Sequence, residues 1–83
     1  MDYKKEKMEF DGTPLKEIVN QFNKFYGQNI EIVSSAIENC PITTVYAGED
    51  VELWFKEVIK EMINIEIEKQ GDKLILRGRG CEQ

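Results

Sequence analysis

Asn-Ile-Glu-Ile occurs twice in this chain, at 29–32 and at 64–67, and each copy follows apolar residues at helical spacing. A repeated unit constrains a short chain strongly, because neither copy can bury its apolar face alone. Sliding the chain on itself by about 36 positions sets Phe10 on Tyr46, Gly12 on Gly48 and Leu15 on Val51. Ile18 then meets Trp54, Val19 meets Phe55 and Phe22 meets Val58. One residue is lost near the helix end, and the two copies of Asn-Ile-Glu-Ile coincide. Strand, glycine, capped helix and strand therefore run twice in the same order. The reading is an α+β fold of two β-α-β repeats with a closing strand, its two helices packed on small sheets around one shared core.

The elements follow from local pattern. Met8 and Phe10 alternate with Glu9 and Asp11, a strand signal that Gly12 is expected to break. Thr13-Pro14 reads as a helix start, with a capping hydroxyl and proline at the first helical position. Leu15, Ile18, Val19, Phe22, Phe25 and Tyr26 form the apolar stripe, and Gly27 supplies a left-handed end. The first Asn-Ile-Glu-Ile begins a strand that continues through Val33. A loop over 34–41 follows, with Ile37 plugging the core beneath it. Residues 42–47 are rich in β-branched side chains and read as a strand. Gly48-Glu49-Asp50 ends that strand and caps a second helix with the stripe Val51, Trp54, Phe55, Val58, Ile59 and Met62. The second Asn-Ile-Glu-Ile opens a strand through Lys69, and Gly71-Asp72 suits a two-residue hairpin turn. That turn sets Ile67 opposite Leu76 and Glu66 opposite Arg77, apolar on one face and opposite charges on the other. The domain is expected to span 7–81, with a charged tail over 1–6 and a short tail over 82–83.

The composition excludes much chemistry. The chain has no histidine, which removes Ser–His and Cys–His nucleophilic sites and His-containing zinc sites. Its two cysteines cannot build a four-cysteine zinc site. Gly78-Arg79-Gly80 lacks the length and context of a phosphate-binding loop. A net charge of −5 opposes binding to nucleic acid or to an anionic membrane surface. Lys4, Lys5 and Lys7 are interleaved with Glu6 and read as a solvated tail. No apolar run approaches the roughly 20 residues of a membrane span, so the chain as given reads as soluble. Glu49, Asp50 and Glu52 complement the positive end of the second helix, a simpler account than a cation site. No cofactor or catalytic site emerges.

What remains is contact chemistry. Cys40 opens the third strand and Cys81 lies just past the last. A reducing cytosol keeps both reduced, whereas an oxidising compartment makes them a candidate disulfide. Leu53 lies opposite the stripe of the second helix among Lys56, Glu57 and Lys60, and with Trp54 marks a candidate contact patch. Small sheets leave edges that accept a partner strand. The candidate edges are the first strand and 42–47, where Thr43, Thr44 and Tyr46 are the candidate contact residues.

The segments "MEFDGTPLKEIVNQFNKFYGQNIEI" and "CPITTVYAGEDVELWFKEVIKEMINIEIEKQGDKLILRGRGC" resemble the C-terminal periplasmic domain of FecR-like anti-sigma factors. That domain is in turn similar to the short N-terminal (STN) domain of secretins and TonB-dependent receptors. The resemblance rests on the phenylalanine strand, the "TPLKEI" helix opening, the aromatic-glycine helix end, "NIEI", the Cys40 strand and the hairpin ending in Gly-Cys. It implies a monomeric, non-enzymatic domain on the periplasmic side of the inner membrane, excised from a protein that spans that membrane once. The implied partner is the signalling domain of an outer-membrane TonB-dependent transporter, whose state is relayed to an extracytoplasmic-function sigma factor. The alternative implied by the same resemblance is the STN domain of a receptor or secretin itself.

Overall fold

The computed structural model describes residues 7–80. Along the chain run β1 (Met8–Pro14), α1 (Leu15–Phe25), β2 (Ile30–Ile32), a single 3₁₀ turn (Ser35–Ile37) and β3 (Pro41–Tyr46). A second helix, α2, covers 51–62, and β4 (Asn64–Gln70) and β5 (Lys73–Gly80) close the chain. β1 pairs with β3 in an antiparallel ribbon, and β2, β5 and β4 form a second sheet with β5 in the middle. The mixed α+β architecture is the expected one. Within each repeat, however, the two strands do not pair with each other: each helix carries the chain from one sheet to the other.

The repeat sets the pairing. Met8 pairs with Tyr46 and Phe10 with Thr44, while Glu9 pairs with Val45, its own counterpart 36 positions on. A pseudo-twofold axis therefore passes through that pair. Both copies of Asn-Ile-Glu-Ile then flank β5, where Ile32 and Ile67 each lie opposite Leu76. Ile30 and Ile65 are buried, while Glu31 and Glu66 are exposed. One core takes residues from both sheets and both helices, and no polar or charged side chain is buried in it. Phe22 sits at its centre, edge-on to Tyr46 at 4.8 Å and near Trp54 at 5.3 Å and Phe55 at 5.5 Å. Burying a ring of that size contributes about 1.5–3 kcal/mol, before the specific ring geometry is counted.

Several local expectations are corrected. Gly12 does not end β1. At φ +63° it forms a bulge between Phe10 and Thr13, after which pairing resumes at Thr13 and Ile42. The bulge is held by Thr43 Oγ1, which accepts from the Gly12 N–H at 2.9 Å. Thr13 is not the helix cap, because its hydroxyl accepts instead from the Asp11 N–H at 3.2 Å. The first N–H groups of α1 find carbonyls across the fold: Leu15 donates to Cys40 at 3.0 Å and Lys16 to Glu38 at 2.9 Å. The segment anchored by fully buried Ile37 thus caps α1.

Phe25 leaves the stripe and is 66% exposed, its ring lying 5.7 Å from the Lys24 ammonium. Three residues past Phe22 the helix has turned about 60° to one side, and four residues past it about 40° to the other. Tyr26 takes the second direction and meets Tyr46 edge-on at 5.5 Å. Met62 is likewise 43% exposed, and Ile63 is buried in its place. The cause lies within α2, where Phe55–Ile59 is a π-helical segment and the Lys60 N–H donates back to Phe55. That segment holds one extra residue, so the structural counterpart of Phe22 is fully buried Ile59 rather than half-buried Val58.

Asp50 caps α2 as expected, its side chain accepting from the Leu53 N–H at 3.1 Å. Gly27, at φ +64°, ends α1 in the left-handed region. The hairpin has the expected register, with Ile67 opposite Leu76 and Glu66 opposite Arg77. The Arg77 guanidinium nevertheless reaches diagonally to Glu68 at 3.1 Å instead of to Glu66.

Candidate protein-interaction site

Among the described residues no cluster of acidic or cysteine side chains is placed to hold a metal ion. The acidic run before and within α2 is engaged locally. Asp50 caps the helix, and Glu49 Oε1 accepts from the Ala47 N–H at 2.9 Å. Glu52 pairs with Lys56 at 2.9 Å and Lys69 at 3.2 Å, tying α2 to β4. Hydrogen bonds from Lys56 and then Lys69 hold its carboxyl below the usual range.

The sequence-derived contact residues divide by burial. Tyr46 and Trp54 are each only 2% exposed. The Tyr46 hydroxyl donates to the Glu49 carbonyl, and Trp54 Nε1 donates to the Val45 carbonyl at 3.2 Å. These two side chains join α2 to β3 from the inside and offer no ring to a partner. Thr43 is exposed and Thr44 half-buried, opposite Phe10 on β1. Leu53 is 50% exposed on α2. The structure thus leaves Thr43 and Leu53 facing outward and withdraws the aromatic pair. The basic run is split, since Lys4 and Lys5 lie outside the described residues and Lys7 is exposed. Cys40 is fully buried with its sulfur engaged, while Cys81 lies outside the described residues.

The outward face of the larger sheet is charged. Ile75 is buried there, apart from the main core. It lies between Glu31 and Glu68 on the neighbouring strands. Lys73 pairs with Glu31 and Arg77 with Glu68, each at 3.1 Å, so four charged side chains ring one isoleucine. Their aliphatic stems cover apolar surface while the charges stay in water.

Edges are the other resource. On β5, Leu74 N–H donates to Asn29 and the Leu76 carbonyl accepts from Val33, so even-numbered residues face β2 and odd-numbered ones face β4. On β2 the N–H and C=O of Ile30 therefore point away from the sheet. Asn23 closes them, its Nδ2 donating to the Ile30 carbonyl at 3.0 Å and its Oδ1 accepting from the Ile30 N–H at 2.9 Å. On β3 the strand opens on Pro41, which has no N–H, and the Val45 carbonyl is taken by Trp54. On β1 the bulge interrupts regular pairing and Pro14 ends the strand. β4 pairs with β5 through Glu66, Glu68 and Gln70, which leaves Ile65, Ile67 and Lys69 with backbone groups facing outward. Among the described residues no hydrogen bond reaches them. The sequence reading named the edges of β1 and β3 and missed β4. The available signal was that neither Ile59 nor Lys60, at spacings of 36 and 37 from Asn23, carries a side-chain amide.

A family model described as FecR, C-terminal, matches residues 7–76. No curated protein matches the chain. Two crystal structures of a candidate anti-sigma factor from Parabacteroides distasonis ATCC 8503 share its fold, with TM-scores of 0.73 and 0.74 at 17% identity. They cover 84% and 86% of this chain but only 32% and 33% of their own. The chain thus spans about a third of the length of those proteins.

Proposed function

The chain belongs to the FecR C-terminal family, and on that premise we propose that it is the periplasmic protein-interaction domain of an anti-sigma factor. In this reading it senses the state of an outer-membrane TonB-dependent transporter through that transporter's signalling domain. The rest of the regulator passes that state to an extracytoplasmic-function sigma factor. The observation that carries the reading is the family match over residues 7–76, nearly the whole described chain. The structural neighbours, candidate anti-sigma factors, support the regulator rather than the receptor side of the contact.

The chemistry agrees. No Asp, Glu, Lys or Arg side chain is buried among the described residues, and the buried Tyr46 hydroxyl is tied to the Glu49 carbonyl. What the surface offers is exposed Thr43 and Leu53, a charged sheet face and strand edges. No helix among the described residues is long and apolar enough to cross a membrane, so anchoring of the regulator is assigned to another part of it.

The test is titration calorimetry of this chain against the purified signalling domains of the TonB-dependent transporters from the same genome. One of them is expected to bind saturably with one-to-one stoichiometry. Binding to none, with the chain folded, would remove the transporter relay. In cells, deleting the domain from the full-length regulator is expected to uncouple sigma-factor output from the transporter's substrate.

A further inference from the structure

The two copies of Asn-Ile-Glu-Ile flank β5 on opposite sides, the first in short parallel β2 and the second in longer antiparallel β4, and their outward edges differ. In the first, the outward N–H and C=O of Ile30 are sealed by the Asn23 amide. In the second, Ile65 occupies the corresponding place, and the structural counterpart of Asn23, once the extra residue of α2 is counted, is exposed Lys60, which has no side-chain amide. Among the described residues nothing bonds to the outward backbone of Ile65, Ile67 or Lys69. Unsealed edges are ordinarily suppressed, because they template pairing with other chains. The first edge is closed at Ile30, whereas the outward groups of β4 are open at Ile65, Ile67 and Lys69.

We propose that the free edge of β4, presented by the backbone of Ile65, Ile67 and Lys69, docks an extended segment of a partner protein with basic side chains on its outward face. This inference rests on the reading of the chain as an interaction domain. Main-chain bonds to three alternate residues supply affinity, and the flanking side chains select the sequence. Ile65 and Ile67 face the core side of the sheet, so the segment carries apolar residues there. On the opposite face stand Glu66 and Glu68. Glu68 is already paired with Arg77, whereas Glu66 has no ion pair among the described residues and is the charge a basic side chain would meet. The same carboxylates disfavour a second copy of this chain, because antiparallel β4–β4 pairing sets acidic residues beside acidic residues.

The probe is a ten-residue peptide alternating valine and lysine, with a valine–glutamate peptide as control. By hydrogen exchange on the intact chain, the amides of Ile65, Ile67 and Lys69 are expected to exchange freely alone and to gain about tenfold protection or more on adding the lysine peptide. The glutamate peptide is expected to bind at least several-fold more weakly. Lys69→Pro removes one outward donor and leaves the pairing with β5 intact. It is expected to weaken the lysine peptide about tenfold, where Lys69→Ala does not. Glu66→Gln, which preserves the fold in any case, is expected to weaken it about threefold.

Protection already present in the free chain would overturn the proposal. So would protection appearing on β1 or β3 instead, equal binding of both peptides, or a dimer joined through β4. A transporter signalling domain that binds wild type and Lys69→Pro equally overturns the β4 edge and leaves the interaction reading standing. Free-edge behaviour with the peptide but no binding to any signalling domain does the reverse.

Discussion

Glu9 pairs across the ribbon with Val45, and Val45 is the residue that matches Glu9 36 positions later in the second repeat. A residue that faces its own counterpart marks a twofold relation. The flanking pairs obey it too: Met8 with Tyr46 and Phe10 with Thr44 exchange into each other under the same shift. The duplication is therefore a fact of the fold as well as of the sequence, and departures from it are informative.

One departure is the Asn23 amide that closes the edge of β2. Asn23→Ala leaves the buried Ile30 backbone without its two partners. Urea unfolding is expected to show a loss of about 1–3 kcal/mol. A loss below about 0.5 kcal/mol would mean that water replaces the amide at little cost.

Another departure is the π-helical segment Phe55–Ile59. Deleting Glu57, which is exposed, returns the second helix to the spacing of the first. The deletion is expected to keep stability within about 1 kcal/mol of wild type. Deleting exposed Asn20 from α1 instead turns Phe22 about 100° out of the core, with an expected loss of about 3–5 kcal/mol. Similar unfolding midpoints for both deletions would contradict the assignment of the extra residue.

Gly78 has a packing role that its neighbour Arg77 does not share. A Cβ there would stand 2.7 Å from the Asn64 carbonyl oxygen and 3.1 Å from Ile37 Cγ2. Gly78→Ala is expected to cost about 1–3 kcal/mol by forcing β4 and β5 apart. Thermal melting checks it, with Arg77→Ala as the milder reference.

Tyr46 sets an alkaline limit. Burial raises its hydroxyl pKa first, and Tyr26, Glu49 and Asp50 add to the rise. The folded chain thus holds the proton more tightly than the unfolded chain. Stability is complete below the ordinary tyrosine range near pH 10 and falls as pH rises from there through the raised value. Tyr46→Phe is expected to flatten that decline while losing about 1 kcal/mol at neutral pH with the Glu49 hydrogen bond. Denaturation midpoints measured across the alkaline range decide it, and an unchanged slope would point to other groups.

The Cys40–Cys81 bridge is expected on the placement of its neighbours. Cys40 Sγ lies 4.0 Å from the Ala36 carbonyl oxygen, and a Cβ on Gly80, the residue before Cys81, would lie 3.7 Å from the same atom. Intact mass with and without reductant tests the pairing. A bridge closing a loop of that length contributes about 4 kcal/mol, so reduction is expected to lower the melting temperature markedly.

The sequence by itself determined the elements, their order and the hairpin register. Those depend on local periodicity, turn chemistry and an alignment of the chain with itself, and all three can be read along one dimension. The buried face of α1 up to Phe22, the Asp50 cap and the Gly71-Asp72 turn are of this kind. Tertiary structure decided what depends on distant neighbours. It withdrew Tyr46 and Trp54 into the core, because each finds a carbonyl partner there for its polar atom. It turned Gly12 from a stop into a bulge, because Thr43 on β3 supplies the acceptor the bulge needs. It also separated the two copies of Asn-Ile-Glu-Ile, which are identical in sequence. Whether a strand edge is closed depends on a side chain from another element, and only the first copy has Asn23 beside it.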